Sequence, residues 1–191
     1  NYTVNATAAD AADITALGLT GNFTASGKVY DGTPSATVLT RTLSGVLAGD
    51  ALNVGLIGGT ASFADALVAN GKPVSLTGAS LSGSAAGNYS LTSVANAAAN
   101  ITALGVTVDG GLSADNKVYD GTTAATISSN NVVLIGVLVG DAGNVRLGTN
   151  NYTADFDNAS VGVGKPVTVG GLALTGSAAA NYTLTQPMLT A

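Results

Sequence analysis

Cysteine, histidine, tryptophan and glutamate are all missing from this chain of 191 residues, and methionine occurs once. Without Cys or His there is no thiolate nucleophile, no imidazole base and no zinc site of the common kind. All eleven acids are aspartate. An Asp pair could in principle serve glycoside chemistry, but most of these acids stand in turn motifs, and no enzymatic activity is expected. Charge is sparse: 9% of residues carry it, against about 25% in ordinary soluble proteins. Six cations and a net charge of −5 exclude nucleic acid as a partner, because phosphate contacts need clustered Lys and Arg. The longest apolar run, residues 131–140, is half of the roughly 20 residues a membrane helix requires, so no membrane insertion is expected.

What is present is a repeat. Lys28-Val-Tyr-Asp-Gly-Thr33 returns as Lys117-Val-Tyr-Asp-Gly-Thr122, and Ile14-Thr-Ala-Leu-Gly18 as Ile101-Thr-Ala-Leu-Gly105. Gly49-Asp50 returns as Gly140-Asp141, Gly71-Lys-Pro-Val74 as Gly164-Lys-Pro-Val167, and Asn88-Tyr-Ser-Leu as Asn181-Tyr-Thr-Leu. All four lysines fall at matched positions. The division is therefore residues 14–100 for one repeat and 101–191 for the next. The opening Asn1-Tyr-Thr-Val aligns with the last strand of a repeat, so residues 1–13 read as the closing strand and junction of a preceding copy, in a window from a longer array.

Short runs rich in Val, Ile, Thr and Tyr, such as Ser35–Thr40 and Pro73–Thr77, carry the strand signature. Gly-Asp, Asp-Gly and Gly-Gly pairs punctuate them about every ten residues, as hairpins require. The Ala-rich joint at 95–99 reads as an extended bridge. Seven or eight strands per repeat predict an all-β fold of tandem immunoglobulin-like antiparallel β-sandwiches. Tyr89 and Tyr182 are expected as buried anchors, with Tyr30 and Tyr119 partly buried.

Together these residues resemble the YDG-type repeat domains. The likeness rests on Lys-Val-Tyr-Asp-Gly-Thr, then Gly-Asp, then Phe with Gly-Lys-Pro-Val, then Asn-Tyr-Thr-Leu. It covers nearly the whole chain, twice. Such repeats occur in large bacterial extracellular adhesins, of the filamentous-haemagglutinin-like and two-partner-secreted kinds. The resemblance implies a secreted or cell-surface stalk.

Each conspicuous motif also has a plain structural reading. Lys28, Tyr30, Asp31 and Gly32, with Lys117, Tyr119, Asp120 and Gly121, read as turns in which Asp caps its own backbone and Gly takes positive φ. Isopeptide chemistry at the lysines is disfavoured by the missing glutamate. Asp155, Asp157 and Asn158 form a weak calcium candidate through oxygen ligands; no other cofactor is implied. Asn-x-Ser/Thr sequons stand at Asn1, Asn5, Asn22, Asn88, Asn100, Asn151, Asn158 and Asn181, positions that could accept a glycan.

The expected function is structural: a repeat segment of a bacterial extracellular adhesin or biofilm-matrix filament. It would act as a stalk in which repeats stack end to end. Its partners would be neighbouring repeats or copies of the same protein, with a host or matrix surface bound by other regions. The alternative is a carbohydrate- or surface-binding module of a secreted protein, which would need exposed aromatics.

Overall fold

A computed structural model describes residues 10–191 of the chain. Most of the expected junction strand, with the sequons at Asn1 and Asn5, lies outside the described residues. Residues 10–13 are exposed and belong to no strand.

The first repeat consists of β1 (Leu17–Ala25), β2 (Lys28–Val29), β3 (Ser35–Ala36), β4 (Val38–Ser44), β5 (Gly55–Phe63), β6 (Ala69–Ser82), β7 (Tyr89–Val94) and β8 (Ala97–Thr102). The second consists of β9 (Leu104–Ala114), β10 (Ile127–Ile135), β11 (Arg146–Gly148), β12 (Thr153–Phe156), β13 (Pro166–Gly170), β14 (Ala173–Thr175), β15 (Tyr182–Leu184) and β16 (Met188–Thr190). Among the described residues the only helical pieces are three-residue 3-10 turns. None is long and apolar enough to cross a membrane. The fold is all-β, as the alternating patterns require.

Each repeat is built from more than one sheet. In the first, β4, β1 and β7 lie side by side, and β2, β8, β6, β5 and β3 form a five-stranded partner. Phe23 of β1 joins Leu56, Phe63, Val74, Leu76 and Ile101 of the larger sheet in one buried cluster. The sheets are not purely antiparallel, and here the expectation is corrected. β7 runs parallel to β1, β15 parallel to β9, and β2 parallel to β8. The Asn-Tyr strand returns to the smaller sheet beside the first strand and in the same direction, because the long β6 has carried the chain back.

The second repeat reproduces this arrangement with breaks. β11 pairs with β14, and β12 with β13, where the first repeat has the continuous β5–β6 ladder. Two more residues separate Val145 from Phe156 than separate Val54 from Phe63, and the surplus interrupts the pairing. At the break, Gln186 bridges to the backbone of Leu172, its amide donating at 2.8 Å and its oxygen accepting at 3.1 Å.

The two repeats abut with Ala103 alone between β8 and β9. The Ala-rich joint is extended, as expected, and Ile101 and Thr102 pair within the first repeat's sheet. The core crosses this boundary. Leu19, Val54, Ala85 and Tyr89 form a separate small cluster at the head of the first repeat. Their counterparts Val106, Val145, Ala178 and Tyr182 do not stand apart: they merge with the first repeat's main cluster, which holds Tyr30, Phe63 and Ile101.

Candidate functional site

The Lys-x-Tyr-Asp-Gly-Thr segment closes on itself. Lys28 Nζ donates to Asp31 Oδ1 at 2.7 Å and to the Thr33 carbonyl at 2.6 Å. The backbone N–H and the hydroxyl of Thr33 both donate to the same Asp31 oxygen at 2.9 Å. Lys117, Asp120 and Thr122 repeat each of these bonds, and Lys117 also reaches the Ala124 carbonyl. Gly32 and Gly121 supply the positive φ, 76° and 78°, that the turn demands. The ammonium of Lys28 lies 5.7 Å from the Phe63 ring centre, and that of Lys117 5.8 Å from Phe156. The lysine at i, the aspartate at i+3 and the threonine at i+5 thus form a clamp. Lys28 and then the Thr33 N–H hold the Asp31 carboxyl down to about 2, and Lys117 and Thr122 do the same for Asp120.

A second recurring unit joins the Gly-Asp turn to the Asn-Tyr strand. Tyr89 donates its hydroxyl to Asp50 Oδ2 at 2.8 Å and accepts from the Leu47 N–H at 3.4 Å. Tyr182 does likewise with Asp141 Oδ2, at 2.7 Å, and the Leu138 N–H, at 3.1 Å. Both tyrosines are buried, as the sequence implies. Burial first, and the aspartate beside it second, raise the Tyr89 hydroxyl and push that of Tyr182 up to about 12.

The two units meet at the boundary between repeats. Tyr30, from the first repeat's clamp, donates to Asp141 Oδ2 at 2.9 Å. Its ring stands edge-on to that of Tyr182, with centroids 5.5 Å apart and planes at 78°. Burial and Asp141 raise its hydroxyl too. Beside it the side-chain oxygen of Asn181 accepts the Val68 N–H at 3.1 Å. Tyr30 is buried outright rather than partly, because the second repeat covers it. Tyr119, its counterpart, is 66% exposed, which corrects the expectation of partial burial: no described residue covers that end of the second repeat.

The calcium candidates are otherwise engaged. Asp155 Oδ1 accepts the Thr123 hydroxyl at 3.1 Å. Asp157 is paired with Lys165 at 2.7 Å, and the same ammonium donates to Asn158 Oδ1 at 2.8 Å. Lys72 makes the equivalent pair with Asp65 in the first repeat. Among the described residues no three acidic groups gather as a metal site. Of the sequon asparagines, Asn88, Asn100, Asn151 and Asn158 are exposed and Asn22 is half-buried. Asn181 is 5% exposed, and a glycan there is incompatible with the joint.

Sequence reasoning missed Asp50 and Asp141 as tyrosine acceptors, Thr33 and Thr122 as clamp members, and Asn181 as a cross-repeat acceptor. The signal was available in the matched Gly-Asp pairs and in the shared Thr after each Asp-Gly. The donors and acceptors of this arrangement pair with one another, and two of the bonds, Tyr30 to Asp141 and Val68 to Asn181, join one repeat to the next. The YDG domain family matches residues 15–99 and again residues 102–189. No curated protein and no solved structure matches the chain.

Proposed function

The chain belongs to the YDG domain family, and on that premise we propose that it is a structural segment of a bacterial extracellular adhesin or matrix filament. Each repeat is an immunoglobulin-like sandwich in this reading, and the pair is a stiff spacer. The observation that carries it is the joint itself. One residue links the repeats, a single core cluster spans them, and Tyr30 is bonded to Asp141 across the boundary. A flexible two-domain linker would be long and polar, and the contact between its domains would be wet. Here apolar burial and a charge-assisted hydrogen bond hold one orientation.

The test is small-angle scattering on the 191-residue chain beside Tyr30→Ala and Asp141→Ala. The intact chain should scatter as one elongated rigid body, and the variants should show a broader, shorter distribution of dimensions. Identical curves, or a flexible parent, would overturn the spacer reading. Surface placement is checked separately, by labelling intact cells with an antibody to the chain.

One observation favours the carbohydrate-binding alternative: Tyr119 presents an exposed ring beside a cavity lined by Asn116 and Lys165. Saturable binding on a glycan array, lost in Tyr119→Ala, would turn the reading that way.

A further inference from the structure

Asn70-Gly71 is the one Asn-Gly pair in the chain. Asparagine is a thermolabile residue, and it is most labile before glycine, which has no side chain to shield its own amide nitrogen. That nitrogen can attack the carboxamide of the residue before it.

The pair lies in a bulge. Ala69 of β6 stands opposite Ile101 of β8 and Lys72 opposite Ala99, and the register shifts between them. Asn70 and Gly71 therefore face one residue, Asn100, with two residues against one as a β-bulge requires. Both are exposed. Gly71 has a φ of +61°, and the space where a β-carbon would lie is open. Its N–H is donated to the side-chain oxygen of Asn100 at 2.7 Å.

The second repeat keeps the turn without the amide. Gly164-Lys-Pro-Val167 matches Gly71-Lys-Pro-Val74, but Val163 stands where Asn70 does. Gly164 has nearly the same φ, +65°. The backbone conformation thus needs the glycine and not the asparagine.

We propose that Asn70 is a site of spontaneous modification, and that Asn100 is the positioning residue that holds the reaction off. Hydroxide removes the Gly71 amide proton, and the nitrogen bonds to Cγ of Asn70. The bond from Cγ to Nδ2 breaks, ammonia leaves, and a succinimide remains. Water then opens the ring. Cleavage at Cγ gives aspartate, and cleavage at the main-chain carbonyl gives isoaspartate. The nitrogen can attack only after its hydrogen bond to Asn100 is broken, so the folded bulge reacts more slowly than the open chain.

The position gives the change a structural effect. Ala69 pairs with Ile101, which is fully buried, and the Val68 N–H is donated across the joint to Asn181. Isoaspartate lengthens the backbone by one methylene just after these two residues. The β6–β8 register and the cross-repeat bond cannot then both be kept. The reaction itself is independent of the spacer reading.

The test is ageing of the intact chain in warm, mildly alkaline buffer. Loss of amide at Asn70 is followed by mass mapping and by isoaspartyl methyltransferase labelling. Asn100→Ala should speed the reaction about threefold to tenfold, the factor that the net worth of one hydrogen bond represents. Asn100→Asp keeps an acceptor oxygen and should react near the parent rate. Tyr30→Phe weakens the joint but leaves the Gly71 N–H bonded, and should also stay near the parent rate. In denaturant the parent and Asn100→Ala should react alike. The aged fraction, separated by its added negative charge, should melt below the parent. Asn100→Ala at the parent rate overturns the proposal, as does Tyr30→Phe or Asn100→Asp as fast as Asn100→Ala, or a difference that persists in denaturant. An aged fraction that melts like the parent overturns the structural effect. None of these outcomes bears on whether the unaged chain scatters as one rigid body, so the spacer reading stands or falls separately.

Discussion

Tyr30 and Tyr182 belong to different repeats and donate their hydroxyls to one and the same oxygen, Asp141 Oδ2, at 2.9 and 2.7 Å. Two donors on one ionised carboxylate make a charge-assisted pair, each bond of the class worth about 1.5–3 kcal/mol. The edge-on rings add about 0.5–1.5 kcal/mol beyond their burial. The first repeat has the simpler version, in which Tyr89 alone holds Asp50. The difference between the two aspartates is the chemical signature of a formed joint.

The latch is measurable by a double-mutant cycle. Tyr30→Phe removes the cross-repeat bond and leaves both rings in place, at an expected cost of about 1.5–3 kcal/mol. Asp141→Asn should share much of that loss, giving a coupling energy of about 0.5–3 kcal/mol in chemical denaturation. Full additivity of the two changes would show that they do not act through one contact. Tyr182→Ala, which also empties core volume, should cost about 3–5 kcal/mol; a loss under about 1 kcal/mol would contradict its burial.

Glycine substitutions should separate two kinds of turn. Gly121 has a φ of +78° and open space where an added methyl would lie, so Gly121→Ala should cost only the left-handed penalty, about 1–2 kcal/mol. Gly83 and Gly176 each have a φ of +110°, and a β-carbon there would collide with the carbonyl oxygen of Asn53 or Asn144. Alanine at either must displace backbone and should destabilise distinctly more. Equal unfolding midpoints for the three variants would refute this ordering.

Stability should fall on both sides of neutrality, for opposite reasons. Asp31 and Asp120 are held down to about 2 from 3.8, and Lys72 and Lys165 lower Asp65 and Asp157 in the same sense. Their contribution is present above about pH 4 and is lost as pH falls from about 4 toward 2. Tyr182 is raised from 10.0 to about 12, so its contribution is full below about pH 10 and disappears as pH rises toward 12. Melting temperatures across both windows provide the check, and a flat profile from about pH 4 down to 2 would contradict the clamp assignment.

Calcium should find its candidate oxygens taken. Lys165 already binds Asp157 and Asn158, so chelator and millimolar calcium should give the same melting curve for the intact chain. Lys165→Met should lower the melting temperature and leave a carboxylate unpaired. A clear upward shift with calcium in the unsubstituted protein would show that the ion displaces the ammonium.

Much of this was legible in the sequence, and the reasons are local. The Lys28 and Lys117 motifs name their own turn, since an Asp-Gly-Thr run constrains only neighbouring backbone. The all-β character follows from short alternating runs, and the repeat from matched landmarks. The mixed strand directions were not legible, because alternation reports which face a residue takes and nothing about the direction of its neighbour. The Tyr30–Asp141 contact was hidden for a similar reason: its partners lie 111 positions apart and no spacing rule connects them. Tyr119 was misjudged because identical sequence takes different surroundings: the second repeat packs on Tyr30, and no described residue packs on Tyr119 in the same way.

The parallel pairing of β1 with β7 has a mechanical consequence. Leu17 faces Tyr89 and Gly21 faces Val94, so the two strands start at the same end. Tension enters the repeat at the start of β1 and leaves beyond the far end of β7, through β8. The two strands are then dragged past each other along their length, and their hydrogen bonds are loaded together in shear instead of peeling one by one. β9 and β15 repeat the geometry over a shorter ladder, Tyr182 opposite Leu104 to Leu184 opposite Val106. Pulled from its two ends, the chain should yield first in the second repeat.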